Sequence, residues 1–232
     1  MRVAIVENTK VSHLGQVGVA LAEAGVMIEV FRPYLDGKLP DPQGDYVGLV
    51  VFGGEQSAID DALHPYLPAL AREMRAFDEA GRSVLGICLG AQLLARAWGA
   101  ANHVGTSREF GWQTIEATEA AAKDPVLSAV PRSFPSFEWH SDHYDLPQGA
   151  TRLAANSAAE NQAFRVGNRS WGMQFHFEVS RAVAAAWNRR FPKEVEARHA
   201  GWLDEFDTLA ARHAPASDAA GLALARAWVA QL

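Results

Sequence analysis

The chain has 232 residues, 49% of them hydrophobic and 21% charged, so it can bury a sizeable core and is not a disordered polymer. A net charge of −6, with no run of lysines or arginines, argues against nucleic acid as a partner. A single cysteine excludes an intrachain disulfide and suits a reducing compartment.

Val3 to Val6 reads as a short strand, and it meets Glu7 too soon for the apolar region of a signal peptide. No window approaches the roughly eighteen apolar residues of a membrane span, so the expected location is the cytoplasm, away from membranes. Leu14, Val17, Gly18, Leu21 and Ala22 recur at helical spacing, and Gly25 ends that helix. Val26 to Phe31 is a second strand, and Pro33 to Asp45 is a surface loop. Tyr46 to Phe52 is a third strand, apolar throughout as parallel strands covered on both faces are, and Gly53-Gly54 stops it. Tyr66 to Ala80 places Leu67, Leu70, Met74 and Phe77 on one helical face. A fourth strand, Val84 to Ile87, runs straight into a helix from Leu89 to Trp98.

This alternation predicts an α/β fold: a doubly wound, mostly parallel sheet flanked by helices, with its active edge at the carboxyl ends of the strands. From about Gly111 shorter strands follow: Trp112 to Ala117, Phe137 to His140, Arg152 to Ala155, Gln162 to Val166 and Ser170 to Phe175. They read as an antiparallel extension of the same sheet. After Glu178 the chain turns helical. Two helices are expected between Trp187 and Ala211, one started by Pro192, and a last one from Ala219 to Leu232 after Pro215. Residues 1–190 would then form the main domain, and residues 191–232 a helical extension packed on it.

The lone thiol stands at the joint of the fourth strand and its helix, in Gly86-Ile87-Cys88-Leu89-Gly90. Glycines at minus two and plus two are the mark of a nucleophile elbow, where a side chain would collide with the nearby backbone. The turn exposes the sulfur at the sheet edge and aims it at the positive end of a helix, which favours the thiolate. It also offers the Leu89 amide to an oxyanion, with Gly53-Gly54 at the end of the neighbouring strand as a second donor.

A thiol nucleophile needs a base, and the base needs an orienting group. His176 ends an apolar strand, and Glu178, two residues on, faces the same side of an extended chain. His140-Ser141-Asp142-His143 could join His176 and Glu178 in a metal site, but that would leave the elbow unexplained, so no metal is expected. Neither a phosphate-binding Gly-x-x-x-x-Gly-Lys loop nor a dinucleotide fingerprint is present, so no cofactor is expected either.

Gly53-Gly54, Gly86-Ile87-Cys88-Leu89-Gly90-Ala91-Gln92, Trp139-His140-Ser141-Asp142 and Gln174-Phe175-His176-Phe177-Glu178 together resemble the class I (triad) glutamine amidotransferases. The likeness covers about residues 1–180 and is nearest the stand-alone members related to the glutaminase domain of GMP synthase. It implies that Cys88 attacks the side-chain amide of glutamine, that His176 protonates the departing ammonia and that Glu178 orients the ring. It further implies oxyanion donors at Gly54 and Leu89. The amino-acid end of the substrate would be held by Gly53, Gln92 and the segment His140, Ser141 and Asp142. Two positions depart from the family: Phe177 stands where proline is usual, and Glu55-Gln56-Ser57 follows the double glycine in place of proline. Phe177 is expected to keep the segment extended.

Three functions remain open. The first is a glutaminase that supplies ammonia to an acceptor on a separate synthetase chain, since the residues after Arg181 are too few for an ATP-using domain. The second is a stand-alone γ-glutamyl peptide or amide hydrolase with the same triad. The third, a catalytically silent regulatory domain, is opposed by the complete set of Cys88, His176 and Glu178.

Overall fold

In the computed structural model, which describes residues 1–232, the first half of the chain alternates strand and helix. The elements are β1 (Arg2–Val6), α1 (Gly15–Glu23), β2 (Met27–Phe31), α2 (Pro33–Asp36), β3 (Gly48–Val51), α3 (Leu67–Glu79), β4 (Ser83–Ile87) and α4 (Leu89–Ala97). The second half adds β5 (Asn102–His103), β6 (Glu109–Ala117), β7 (Ser133–His140), β8 (His143–Tyr144), β9 (Thr151–Ala155), β10 (Ala163–Val166) and β11 (Ser170–Met173). It closes with α5 (Arg181–Arg190), α6 (Pro192–Arg198) and α7 (Trp202–Val229).

One nine-stranded sheet runs in the order β2-β1-β3-β4-β11-β10-β9-β6-β7. The first five of these strands are mutually parallel, and the remaining pairings are antiparallel. The antiparallel strands therefore extend the parallel sheet. β5 and β8 pair separately.

Strand alternation sorts the core into two layers. Val3, Ile5, Val50, Leu85 and Ile87 face one side, where Val17 and Leu21 of α1 and Leu224 and Trp228 of α7 cover them. Ala4, Val6, Leu49, Val51 and Val84 face the other, under Leu70, Met74 and Phe77 of α3 and Leu93 and Leu94 of α4. A third cluster packs Phe110 and Phe137 of the extension against Trp202, Phe206 and Ala210 of α7. No helix is long and apolar enough to cross a membrane.

Three local expectations are corrected. Pro215 does not separate two helices; it lies inside α7, which runs unbroken for 28 residues. A proline removes one backbone donor and costs about 3 kcal/mol in a helix interior. Here Pro215 and Ala211, the residue four before it, are both exposed, so water can take up the freed carbonyl. The two halves of α7 are each held by a separate core cluster, which keeps the helix continuous across the joint. The helical region does begin soon after Glu178, at Arg181, where the Ser180 hydroxyl caps the Val183 amide at 3.4 Å, but Trp187 lies inside its first helix instead of opening a pair of helices. Finally, the loop after β2 contains a single turn of helix, α2, opened by Pro33 and closed by Gly37 at φ 72°.

A buried carboxylate joins α3 to the sheet. Asp78, 2% exposed, accepts from the amides of Asn168 and Arg169 and from the Ser170 hydroxyl at 2.7–3.0 Å. Asp78→Ala leaves those donors unpaired and is expected to cost about 3 kcal/mol or more. A urea midpoint equal to that of the wild type would contradict this.

Candidate active site

Cys88 lies between β4 and α4 with φ 53° and ψ −109°, the one non-glycine residue with positive φ. Such a backbone costs of order 1–3 kcal/mol and persists only where the surroundings enforce it. They do so through backbone contact. A Cβ on Gly86 would strike the carbonyl of Gly90, and one on Gly90 would strike the carbonyl of Val51 on the neighbouring strand. The Cys88 amide is fixed to the Met173 carbonyl at 2.8 Å, and its carbonyl accepts from Gln92, one turn into α4.

The base lies just past the end of β11. The His176 amide donates to the Phe137 carbonyl at 2.8 Å in an isolated antiparallel bridge, and its ring stands edge-on to Trp187. His176 Nδ1 and Glu178 Oε1 are 2.7 Å apart, both side chains buried. The expectation of an extended segment kept by Phe177 is corrected: β11 ends at Met173, and residues 177 and 178 lie in a turn. The turn is made possible by two glycines that the sequence did not single out. Gly15, at φ 48° beside the start of α1, leaves room for the Glu178 carbonyl, which accepts from the Gln16 amide at 2.9 Å. Gly221 in α7 leaves room for the Phe177 carbonyl.

Burial by itself opposes charge on His176. The Glu178 carboxylate and the adjacent Cys88 sulfur outweigh it, and the imidazole pKa rises well above its ordinary value. Cys88, 6% exposed, and His176 both border one point: a Cβ on Gly53 would lie 3.0 Å from His176 Cε1 and 3.3 Å from Cys88 Cβ. A side chain there would crowd both the ring and the thiol.

The Gly54 amide follows Gly53 and donates to no acceptor in the chain. Its placement depends on Asn8, which sequence reasoning missed. The buried Asn8 side chain donates to the Phe52 carbonyl at 2.7 Å and accepts from the Tyr66 hydroxyl, tying the tips of β1 and β3 together. Gln92 borders the same cleft, and its amide donates to Gln174 Oε1 at 3.1 Å and to the Asp142 carbonyl at 3.4 Å. Ser141 and Asp142 line the cleft as well, with Asp142 Oδ1 accepting from the Gly105 amide.

His140 is placed differently from its neighbours. Its ring is turned inward, with Nε2 at 3.1 Å from Glu109 and 3.4 Å from Glu138, and Nδ1 at 3.0 Å from the Asp142 carbonyl. Its side chain is 1% exposed, so this residue meets the cleft through its main chain. The ring is thus far from serving His176 and Glu178 in a shared metal site. It belongs to a buried trio, Glu109, Glu138 and His140, whose ligand atoms lie within 4.8 Å of one another. The Glu109 oxygens already accept from Gln162 at 2.7 Å and from Asn156 at 2.6 Å. Burial, and then the Glu109 charge, push the Glu138 carboxyl pKa well above the usual range. Glu109 and His140 thus form a hydrogen-bonded support for the segment at residues 139–142, while both Glu138 oxygens are left without a hydrogen-bond partner in the chain.

Cys88, His176, Gly53, Gly54, Gln92 and the 139–142 segment thus border one cleft of about 570 Å³. The cleft is also lined by Thr9, Val11, Ser12, His13, Glu55 and Gln56, and by Trp187, Phe191, Glu194, Ala197 and Arg198 of the C-terminal region.

The family description "Glutamine amidotransferase class-I" matches residues 11–188. Among curated relatives, a subunit of the glutamine-hydrolysing GMP synthase of Methanoregula boonei is 33% identical over 60% of this chain and 68% of its own. Gamma-glutamyl peptidase 5 of Arabidopsis thaliana is 28% identical over 69% of this chain, which spans 65% of that protein. A glutamine amidotransferase crystal structure from Thermotoga maritima superposes with a TM-score of 0.86 at 26% identity, covering 98% of each chain. The chain belongs to the class I glutamine amidotransferase family.

Proposed function

We propose that the protein hydrolyses the γ-carboxamide of glutamine through a thioester on Cys88. The observation that carries this reading is the arrangement at Gly53: a thiol on a strained elbow and a carboxylate-paired imidazole border one small space.

Each step uses a group already described. The Cys88 sulfur attacks the amide carbon, and the resulting oxyanion sits between the amides of Gly54 and Leu89. His176 gives its ring proton to the nitrogen, the carbon–nitrogen bond breaks and ammonia leaves. A water then gives a proton to His176 and attacks the γ-glutamyl thioester, and glutamate departs as the thiol is restored. Glu178 holds the ring in one orientation and stabilises its charged form. Gly53, Gln92 and the main chain of His140, Ser141 and Asp142 hold the amino-acid end. As an amidotransferase the protein would pass its ammonia to an acceptor on a separate chain.

A second reading, hydrolysis of γ-glutamyl peptides or amides, shares the acyl-enzyme and differs only in the leaving amine. The size of the cleft favours it. About 570 Å³ lies within the roughly 300–1,000 Å³ typical of sites for larger ligands and exceeds what glutamine fills.

Steady-state release of ammonia or amine from glutamine and from γ-glutamyl peptides tests both readings. Cys88→Ser is expected to lose at least about 10³-fold in kcat and His176→Ala about 10²–10⁴-fold, with a smaller loss for Glu178→Gln. Full activity of Cys88→Ser would sink the mechanism, and Glu178→Gln as the worse variant of the two would overturn the assigned roles. An NMR titration checks the electrostatics. The His176 ring should hold its proton well past the ordinary pH, and Glu178→Gln should lower its pKa because burial then acts with less opposition. A titration point unmoved by that substitution would contradict the pairing.

A further inference from the structure

Arg198 ends α6, beyond the residues matched by the family description, and borders the cleft. It is half-buried, and its guanidinium makes one hydrogen bond in the chain, from Nη1 to the His140 carbonyl at 3.3 Å. No carboxylate pairs with it. Glu194, on the same helix and the same wall, does not pair with it either. The charge that acts on it is another cation: Arg108, itself without an acidic partner, donates to the Ala197 carbonyl at 3.0 Å. Burial, and then Arg108, push the Arg198 pKa below its usual value.

This arrangement is costly in the free protein. A guanidinium offers five donors in a planar fork matched to a carboxylate. Here one of the five finds an acceptor in the chain, part of the hydration is lost, and a second cation stands nearby. Both the cost and the geometry are relieved by an anion bound in the cleft. The tether locates that anion. His140 is the residue after Trp139, whose carbonyl lies 4.0 Å from the Cys88 sulfur, and two before Asp142, whose carbonyl accepts from Gln92. Arg198 is therefore held over the segment along which the substrate lies.

We propose that Arg198 binds a carboxylate of the substrate and sets its specificity. This rests on the reading of the cleft as the site of a γ-glutamyl amidohydrolase. The carboxylate has two sources: the α-carboxylate of the glutamyl part, or a carboxylate carried by the leaving amine, as in a γ-glutamyl peptide.

The test compares the full-length wild type, Arg198→Lys and Arg198→Met on L-glutamine, γ-glutamylglycine and γ-glutamylethylamide, which has no carboxylate on its amine. Arg198→Met keeps the apolar stem and removes the donors, and its thermal midpoint reports whether the fold survives. A rise in KM of about tenfold or more, with kcat nearly unchanged and partial recovery in Arg198→Lys, is the expected result. If all three substrates weaken, the α-carboxylate is the ligand; if γ-glutamylglycine alone weakens, it is the carboxylate of the amine. Unchanged KM for all three, or a fall in kcat with KM unchanged, would overturn the proposal in favour of a prop for the His140 segment. If the wild type turns over none of them, the amidohydrolase reading fails, and calorimetric binding of γ-glutamylglycine decides the inference alone. Binding weakened about tenfold or more by Arg198→Met supports it, while equal binding, or none by the wild type, overturns it.

Discussion

Where β4 turns into α4, three pieces of backbone come closer than any side chain allows. Gly86 lies against the carbonyl of Gly90, and Gly90 lies against the carbonyl of Val51 on β3. Because both contacts are main chain, no rotamer change can relieve a side chain placed there. The elbow is thereby locked to the neighbouring strand, and the strained φ of 53° at Cys88 is enforced from two sides. The sheet supplies the rest of the grip, through the Met173 carbonyl on β11. The thiol is positioned by three adjacent parallel strands, β3, β4 and β11, and the site follows from their register.

The base is held by a different logic. His176 and Glu178 lie outside regular secondary structure, in a turn that only packing can hold. Gly15 and Gly221 let α1 and α7 press onto the main chain of Glu178 and Phe177. α7 in turn is kept continuous through Pro215 by the two core clusters it bridges. The C-terminal helix thus supports the His176–Glu178 pair, and α5 and α6 wall the cleft beside it. In this way the last quarter of the chain belongs to the site as well as to the fold.

The fold class was legible because parallel strands buried on both faces, such as Gly48–Val51 and Ser83–Ile87, are apolar throughout and alternate with amphipathic helices. The elbow was legible because its glycines have a steric cause tied to fixed spacing. His176 and Glu178 were found from their closeness in sequence, yet for the wrong reason: the chain there turns instead of extending. The inward ring of His140 was not legible, because its partners Glu109 and Glu138 come from the pairing of β6 with β7 and from the strand interior. Asn8, Gly15 and Gly221 left no local signal, since each acts on backbone far away in sequence. Pro215 was misread because a local breaker can be overridden by two independent packing contacts.

The central claim is that Cys88 becomes acylated, and trapping the acyl-enzyme tests it most directly. The wild type would be mixed with glutamine or γ-glutamylglycine, quenched in acid during turnover, and examined by intact mass and peptide mapping. With one cysteine in the chain the assignment is unambiguous. The account predicts a γ-glutamyl group on the peptide containing Cys88, appearing before glutamate accumulates and absent in Cys88→Ser. Glutamate released at full rate with no adduct on that peptide, or an adduct on another residue, would contradict it.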